Sequence, residues 1–347
     1  MSAAEPLAYF GGHLARGLVD VTDDLAALDS RGWWAVVADF EGAVVCARFS
    51  DVRPAPHPGG EWAGPQATAW TSSMDRAAYL RAVEEVRRRI SLGDVYQVNV
   101  CRVMSTVLPD PRRSDIAGLS ARLAVGNPAP YAGFVRLPAG AHPALPPEGL
   151  HVATASPELF LRRNGGTVES GPIKGTGRTA QDLTDKDAAE NVMIVDLVRN
   201  DLGAVSRTGS VTVPGLLELE AHPGLVHLVS TVRAELRHDA GWPELMAATF
   251  PPGSVTGAPK SSALAILAEL EPVPRGPYCG AIGWAQDDRA VLAVGIRTFW
   301  LAGTELRFGT GAGITWGSDA AREWAETELK AETLLNVASG TWQAAST

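Results

Sequence analysis

The stretch Tyr278-Cys-Gly-Ala-Ile-Gly-Trp-Ala-Gln286, Asp287-Asp288, Ala290-Val-Leu-Ala-Val-Gly-Ile-Arg-Thr-Phe-Trp-Leu301, Ala302-Gly303, Thr304-Glu-Leu-Arg-Phe-Gly309 decides the fold. It reads as three strands, 278–286, 290–301 and 304–309, separated by Asp-Asp and Ala-Gly turns. A parallel crossover needs a dozen or more residues, so strands joined this closely are antiparallel. The chain is therefore expected to be α+β, with antiparallel sheets and flanking helices rather than a βαβ repeat.

The flanking sequence fits that scheme. Residues 33–49 read as a hairpin turning near Glu41-Gly42, and 75–92 carry the apolar spacing of an amphipathic helix (Leu80, Val83, Val86, Ile90) capped by Gly93. The run from Val95 alternates as a strand with Gln97 and Asn99 on one face. Strands are expected to end near Leu137, to begin near Leu150, and to fill 150–170, 211–220 and 225–236; helices are expected at 184–202, 242–249, 259–270 and 318–338. Thr184, with Asp187 three residues on, is a ready N-cap. No internal repeat or linker divides the chain, so one large domain over 1–347 is expected.

Composition narrows the function classes. With 46% apolar and 20% charged residues, the 347-residue chain can bury a sizeable core. A formal net charge of −9 argues against nucleic acid as a partner, and an anionic substrate would need local cations. Cys46, Cys101 and Cys279 are isolated, which excludes a disulfide framework or zinc ribbon and fits a reducing cytoplasm. The N-terminal sequence lacks the pattern of a signal peptide, and no apolar run approaches a membrane span. A cytoplasmic protein with no membrane partner is expected.

Several residues invite chemistry. Lys174, in Gly171-Pro-Ile-Lys-Gly-Thr176, can be a phosphate-binding charge, a surface charge or a nucleophile. Glu190 lies in an apolar helical stretch, where a lone carboxylate is costly unless paired or metal-bound. Glu323, Glu326 and Lys330 share one face of the last helix, as a solvated charge row or as half of an oxygen-ligand site for a hard cation such as Mg²⁺. Gly309-Thr-Gly-Ala-Gly313, expected between the last strand and helix, lacks the βαβ setting of a dinucleotide loop, although its amides can cradle an anion. Arg297 can grip a carboxylate bidentately. Glu158, after Pro157 among apolar residues, is placed for a raised pKa and general-acid work. His227, in an apolar strand, reads as a core residue or a catalyst.

In order along the chain stand Gly93-Asp-Val-Tyr-Gln-Val-Asn, Ser156-Pro-Glu, Pro172-Ile-Lys-Gly-Thr, Ala189-Glu-Asn-Val-Met-Ile-Val-Asp-Leu-Val-Arg-Asn-Asp201, His227-Leu-Val-Ser, Gly253-Ser-Val-Thr-Gly-Ala-Pro-Lys260, Tyr278-Cys-Gly-Ala-Ile-Gly, Ile296-Arg-Thr, Gly311-Ala-Gly-Ile and Glu323-Trp-Ala-Glu326. This series resembles the chorismate-utilising enzymes: the large subunits of anthranilate and aminodeoxychorismate synthases, and the isochorismate and salicylate synthases. The resemblance covers roughly 70–337 and leaves 1–70 as a shortened N-terminal part. It implies the chorismate-binding fold, a single α/β/β/α sandwich of two antiparallel sheets with outer helices.

By resemblance, Glu190 and Glu326, with Glu323 alongside, would hold Mg²⁺. Tyr278, Arg297, Gly311, Ala312, Gly313 and Lys330 would hold the substrate's carboxylates. His227 and Thr176 would line the ring, and Glu158 would protonate the departing C4 hydroxyl. Two positions choose the branch. Water-adding relatives carry a lysine base where this chain has Gln97, so the resemblance implies ammonia as nucleophile. Anthranilate synthases carry a small residue where this chain has Lys174, whereas aminodeoxychorismate synthases carry a lysine that attacks C2 and sends ammonia to C4. The expectation is an enzyme of this last kind, acting on chorismate and ammonia, with a glutamine amidotransferase subunit as partner and a product that leads toward p-aminobenzoate and folate. The rivals are a C2-aminating anthranilate or aminodeoxyisochorismate synthase, a non-catalytic ligand-binding protein on the same scaffold and, more remotely, a nucleotide-binding oxidoreductase. One departure is Gly175-Thr-Gly-Arg-Thr, which lacks the proline that family members commonly carry after Gly-Thr.

Overall fold

The computed structural model describes residues 5–177, 179–222 and 225–340. Its strands form one continuous antiparallel ladder. The expected two sheets are two layers of that ladder. One layer runs Gln97–Val107, Glu305–Ile314, Thr298–Ala302, Gly149–Ser156, Tyr131–Pro138 and Leu7–Phe10. The strand His13–Thr22 pairs with Leu7–Phe10 and then with Val44–Pro54, carrying the ladder into the second layer. That layer continues through Trp33–Ala38, Ala281–Gln286, Arg289–Val294, Leu159–Asn164, Thr167–Gly171 and Leu225–Glu235.

Side-chain alternation explains the layering. Val135 and Val152 join Val36, Ile282 and Leu292 in one buried cluster between the layers. Their neighbours Phe134 and Ala153 point the other way, into a cluster with Leu119, Leu123 and Leu334 on the helices Ile116–Gly126 and Ala320–Ser339. The helix Asp185–Gly203 covers the second layer through Ile194, Val198 and Leu202. Helices thus lie outside both layers, as the resemblance implied.

The expected helices fall where the pattern put them: Arg76–Ser91, Asp185–Gly203, Trp242–Thr249, Lys260–Leu270 and Ala320–Ser339. Thr184 and Asp187 form a reciprocal capping box. Two expectations need correction. The strand expected over 290–301 is two, Arg289–Val294 and Thr298–Ala302, because Arg297 adopts a left-handed φ of 52°. The glycines 309–313 lie within the strand Glu305–Ile314, not in a turn after it.

Candidate active site

Close packing explains glycines inside a strand. A Cβ on Gly309 would fall 2.0 Å from the Tyr278 ring, one on Gly311 2.7 Å from Cys101 Sγ, and one on Gly313 2.3 Å from Gln97 Nε2. A Cβ on Gly313 would also be 3.6 Å from Lys174 Nζ, so this bare stretch of strand is the floor on which Gln97 and Lys174 meet. Gly309→Ala should cost roughly 1–3 kcal/mol, since an aromatic ring in a packed wall has no easy retreat; urea denaturation would measure the loss.

Strand alternation also settles which amides are available. Asn99 N–H bonds to Thr256 and Cys101 N–H to Glu271, both away from Glu305–Ile314. Their partners Gly313 and Gly311 therefore turn their own N–H and C=O groups to the open edge, while Ala312 faces Val100. Of the three expected amide donors, Ala312 is thus committed to the ladder. Lys330 sits at the open edge, its Nζ donating to Gly311 O at 3.2 Å and pairing with Glu326 Oε1 at 2.6 Å.

Lys174 lies on the strand Ile173–Gly177, and its Nζ donates to Ser254 O at 2.9 Å. Burial lowers its pKa; Glu190, Glu158 and Glu326 oppose the shift, and Lys330 adds to it. Glu158 is buried, and burial raises its carboxyl pKa against the pull of the Ser254 hydroxyl, Lys174, the Ile173 amide and Lys330. An amine and a carboxyl that share Ser254, each pushed toward its neutral form, are the pair a nucleophile and a general acid require. Glu158 also lines a small pocket with Pro172, Asp201 and Ser254.

His227 is buried on the strand Leu225–Glu235, and Thr176 pairs with it in backbone register. Asn191 fixes the neighbouring helix to that strand: its Nδ2 donates to Leu228 O at 3.0 Å and its Oδ1 accepts from Ser230 Oγ at 2.5 Å. That anchor sets the position of Glu190, the residue before it. Arg297 has no ion-pair partner among the described residues, and burial lowers its pKa. Its Nη1 donates to Asn127 Oδ1 at 3.4 Å, and the guanidinium fork carries further donors that suit a carboxylate. Tyr278 is buried over Gly309, and burial raises its phenol pKa well above the ordinary value, with Cys101 and Cys279 adding.

The three metal candidates do not form a closed cage, and among the described residues no group of three His, Cys, Asp or Glu side chains is close enough to be one. Glu190 and Glu323 are instead bridged by Lys186, whose Nζ is 3.6 Å from Glu190 Oε1 and 3.7 Å from Glu323 Oε1. Burial raises the pKa of Glu323, Ser318 opposes, Glu326 adds, Lys186 opposes and Glu190 adds. An all-carboxylate donor set already centred on a cation fits Mg²⁺, which takes one or two protein carboxylates and fills its other positions with water and substrate oxygens. Glu190 and Glu323 thus share Lys186, while Glu326 pairs with Lys330.

Two residues here carried no sequence assignment. Ser254 lay in the quoted Gly253-Ser-Val-Thr segment without a role, and Lys186 stood four residues before Glu190 in the helical register that makes it a neighbour.

The model of the chorismate binding enzyme family matches residues 35–336. An aminodeoxychorismate synthase of Streptomyces pristinaespiralis is 41% identical over 271 residues, 74% of this chain and 36% of that protein. Anthranilate synthase component 1 1 of Haloarcula marismortui is 37% identical over 279 residues, 76% of this chain and 54% of that one. Aminodeoxychorismate synthase component 1 of Escherichia coli K12 is 35% identical over 280 residues, 77% and 58% of the two chains. The chain thus spans about half the length of these curated relatives, or less. Among solved structures, anthranilate synthase component I from Streptococcus pneumoniae superimposes with a TM-score of 0.74 at 22% identity, covering 96% of this chain and 91% of that one. The menaquinone-specific isochorismate synthase from Escherichia coli gives 0.77 at 20% identity, covering 97% and 89%. With the family model spanning 35–336 and every quoted motif inside it, the chain belongs to the chorismate binding enzyme family.

Proposed function

We propose that this chain aminates chorismate at C4 with ammonia, giving 4-amino-4-deoxychorismate through a covalent bond to Lys174. The observation that carries the reading is Lys174 itself, a depressed-pKa amine that shares Ser254 with a buried, raised-pKa Glu158. The neutral amine attacks C2, the ring double bonds shift, and the C4 hydroxyl leaves as water with a proton from Glu158. Ammonia then enters at C4 and expels the amine. Gln97 has no basic lone pair to activate water, which favours ammonia.

Arg297, Lys330 and the outward amides of Gly311 and Gly313 would receive the two carboxylates, and Tyr278 and His227 would wall the ring. Glu190 and Glu323, with Glu326 nearby, would hold Mg²⁺, which when bound supplies a positive charge that anchors a substrate carboxylate and stabilises developing charge.

A C2-aminating reaction is the second reading, favoured by the anthranilate synthases among the relatives. Lys174 argues against it by filling the approach to C2. Several relatives are named as component 1, which supports a glutamine amidotransferase as the partner that supplies ammonia. The three cysteines are all buried, and burial pushes the Cys46 thiol up to about 12, which supports a separate chain as the source of ammonia. No described helix is long and apolar enough to cross a membrane. The test is product identity. With chorismate, an ammonium salt and Mg²⁺, the purified chain should yield 4-amino-4-deoxychorismate, with glutamine unable to replace ammonium. Anthranilate as the product would reject the C4 assignment.

A further inference from the structure

The cation between Glu190 and Glu323 comes from the chain itself. Lys186 lies in the first turn of the helix Asp185–Gly203, and Glu323 on the helix Ala320–Ser339, so the contact ties together two helices far apart in sequence. The two carboxylates are largely buried, with side chains 16% and 6% exposed, whereas the Lys186 side chain is 51% exposed. Its distances of 3.6 and 3.7 Å exceed hydrogen-bond length, so the ammonium acts as a point charge centred between two oxygens rather than as a donor to either. An ordinary helix-surface pair would be of another kind. The favourable order places Glu before Lys at i,i+4; here Lys precedes Glu, and the second partner is on another helix.

We propose that Lys186 is a tethered counter-cation that occupies the divalent-metal position between Glu190 and Glu323 and swings into solvent when the metal enters. This rests on the reading that these glutamates hold Mg²⁺. In the metal-free chain the ammonium offsets repulsion between the carboxylates and keeps the two helices together. Once a divalent ion sits between them, a monovalent charge at the same point is repelled, and its flexible, solvent-facing stem lets it leave at little cost. Lys186 therefore competes with the metal and sets its affinity. Without such a competitor, the ion would find the two carboxylates bare.

The test measures Mg²⁺ binding to the full chain by titration calorimetry, without chorismate, alongside thermal melting. Lys186→Met should bind Mg²⁺ about tenfold more tightly than wild type, the scale of relieving two half-exposed ion pairs. Its metal-free form should melt below wild type, and saturating Mg²⁺ should close that gap. Glu323→Gln should lose measurable binding. Equal or weaker Mg²⁺ binding by Lys186→Met, with wild type binding normally, would overturn the competitor role while leaving the metal reading intact. Absence of binding by both wild type and Lys186→Met would remove the metal reading, and this proposal with it.

Discussion

Lys174→Ala is expected to lose C4 amination by at least about a thousandfold, as the removal of a covalent nucleophile generally does. The loss is chemical rather than structural. The side chain reaches a site already walled by Gln97 and Gly313, and its removal withdraws one hydrogen bond from Ser254 O. With the amine gone, the approach to C2 opens, and ammonia or water can attack there. The residual product should therefore shift toward anthranilate or isochorismate-type species, read by mass spectrometry beside an unchanged circular dichroism spectrum. Undiminished formation of 4-amino-4-deoxychorismate by the variant would remove Lys174 from the reaction.

The second large effect is expected at Glu158. Glu158→Gln keeps the shape and removes the proton, so turnover should fall about 10²- to 10⁴-fold. In the proposed mechanism the active form has Glu158 protonated and Lys174 neutral. Wild-type activity should accordingly decline at low pH, where Lys174 is an ammonium, and at high pH, where Glu158 is a carboxylate. The variant should lose the alkaline decline. Stability gives an independent check with a definite sign. The folded-state carboxyl is raised above its unfolded value, so the folded chain holds the proton more tightly, and this favours folding at low pH. That contribution fades as pH rises through the raised pKa, so Glu158→Gln should gain on wild type at alkaline pH. Denaturation at several pH values would reveal the crossover, and parallel curves would show that Glu158 is not a perturbed acid.

Much of the fold was legible because its signals are local. Thr184 and Asp187 marked a helix start, the Asp287-Asp288 and Ala302-Gly303 turns marked hairpins, and apolar spacing marked the helices. The two misreadings have tertiary causes. The apolar run through 290–301 looks unbroken, yet Gly295, where a Cβ would fall 2.1 Å from Pro277 O, and Arg297 at positive φ interrupt it. The glycines from 309 to 313 look like a turn, yet they are strand residues kept bare by Tyr278, Cys101 and Gln97.

The site was legible as a set of motifs but not as a geometry. Periodicity says nothing of Ser254 meeting Lys174 across 80 residues, nor of Lys186 sitting opposite Glu323. The acidic balance of the chain likewise concealed local cations. Lys330 and Arg297 are the local cations that two substrate carboxylates would need.

The covalent bond to Lys174 is the central claim, and intact-protein mass spectrometry tests it most directly. Wild-type chain incubated with chorismate and Mg²⁺ but no ammonia, then quenched in acid, should gain the mass of chorismate less one water, with the addition mapped by peptide sequencing to Lys174. Chorismate turnover by that same preparation once ammonium is added, with no adduct detected on Lys174 at any time point, would contradict it.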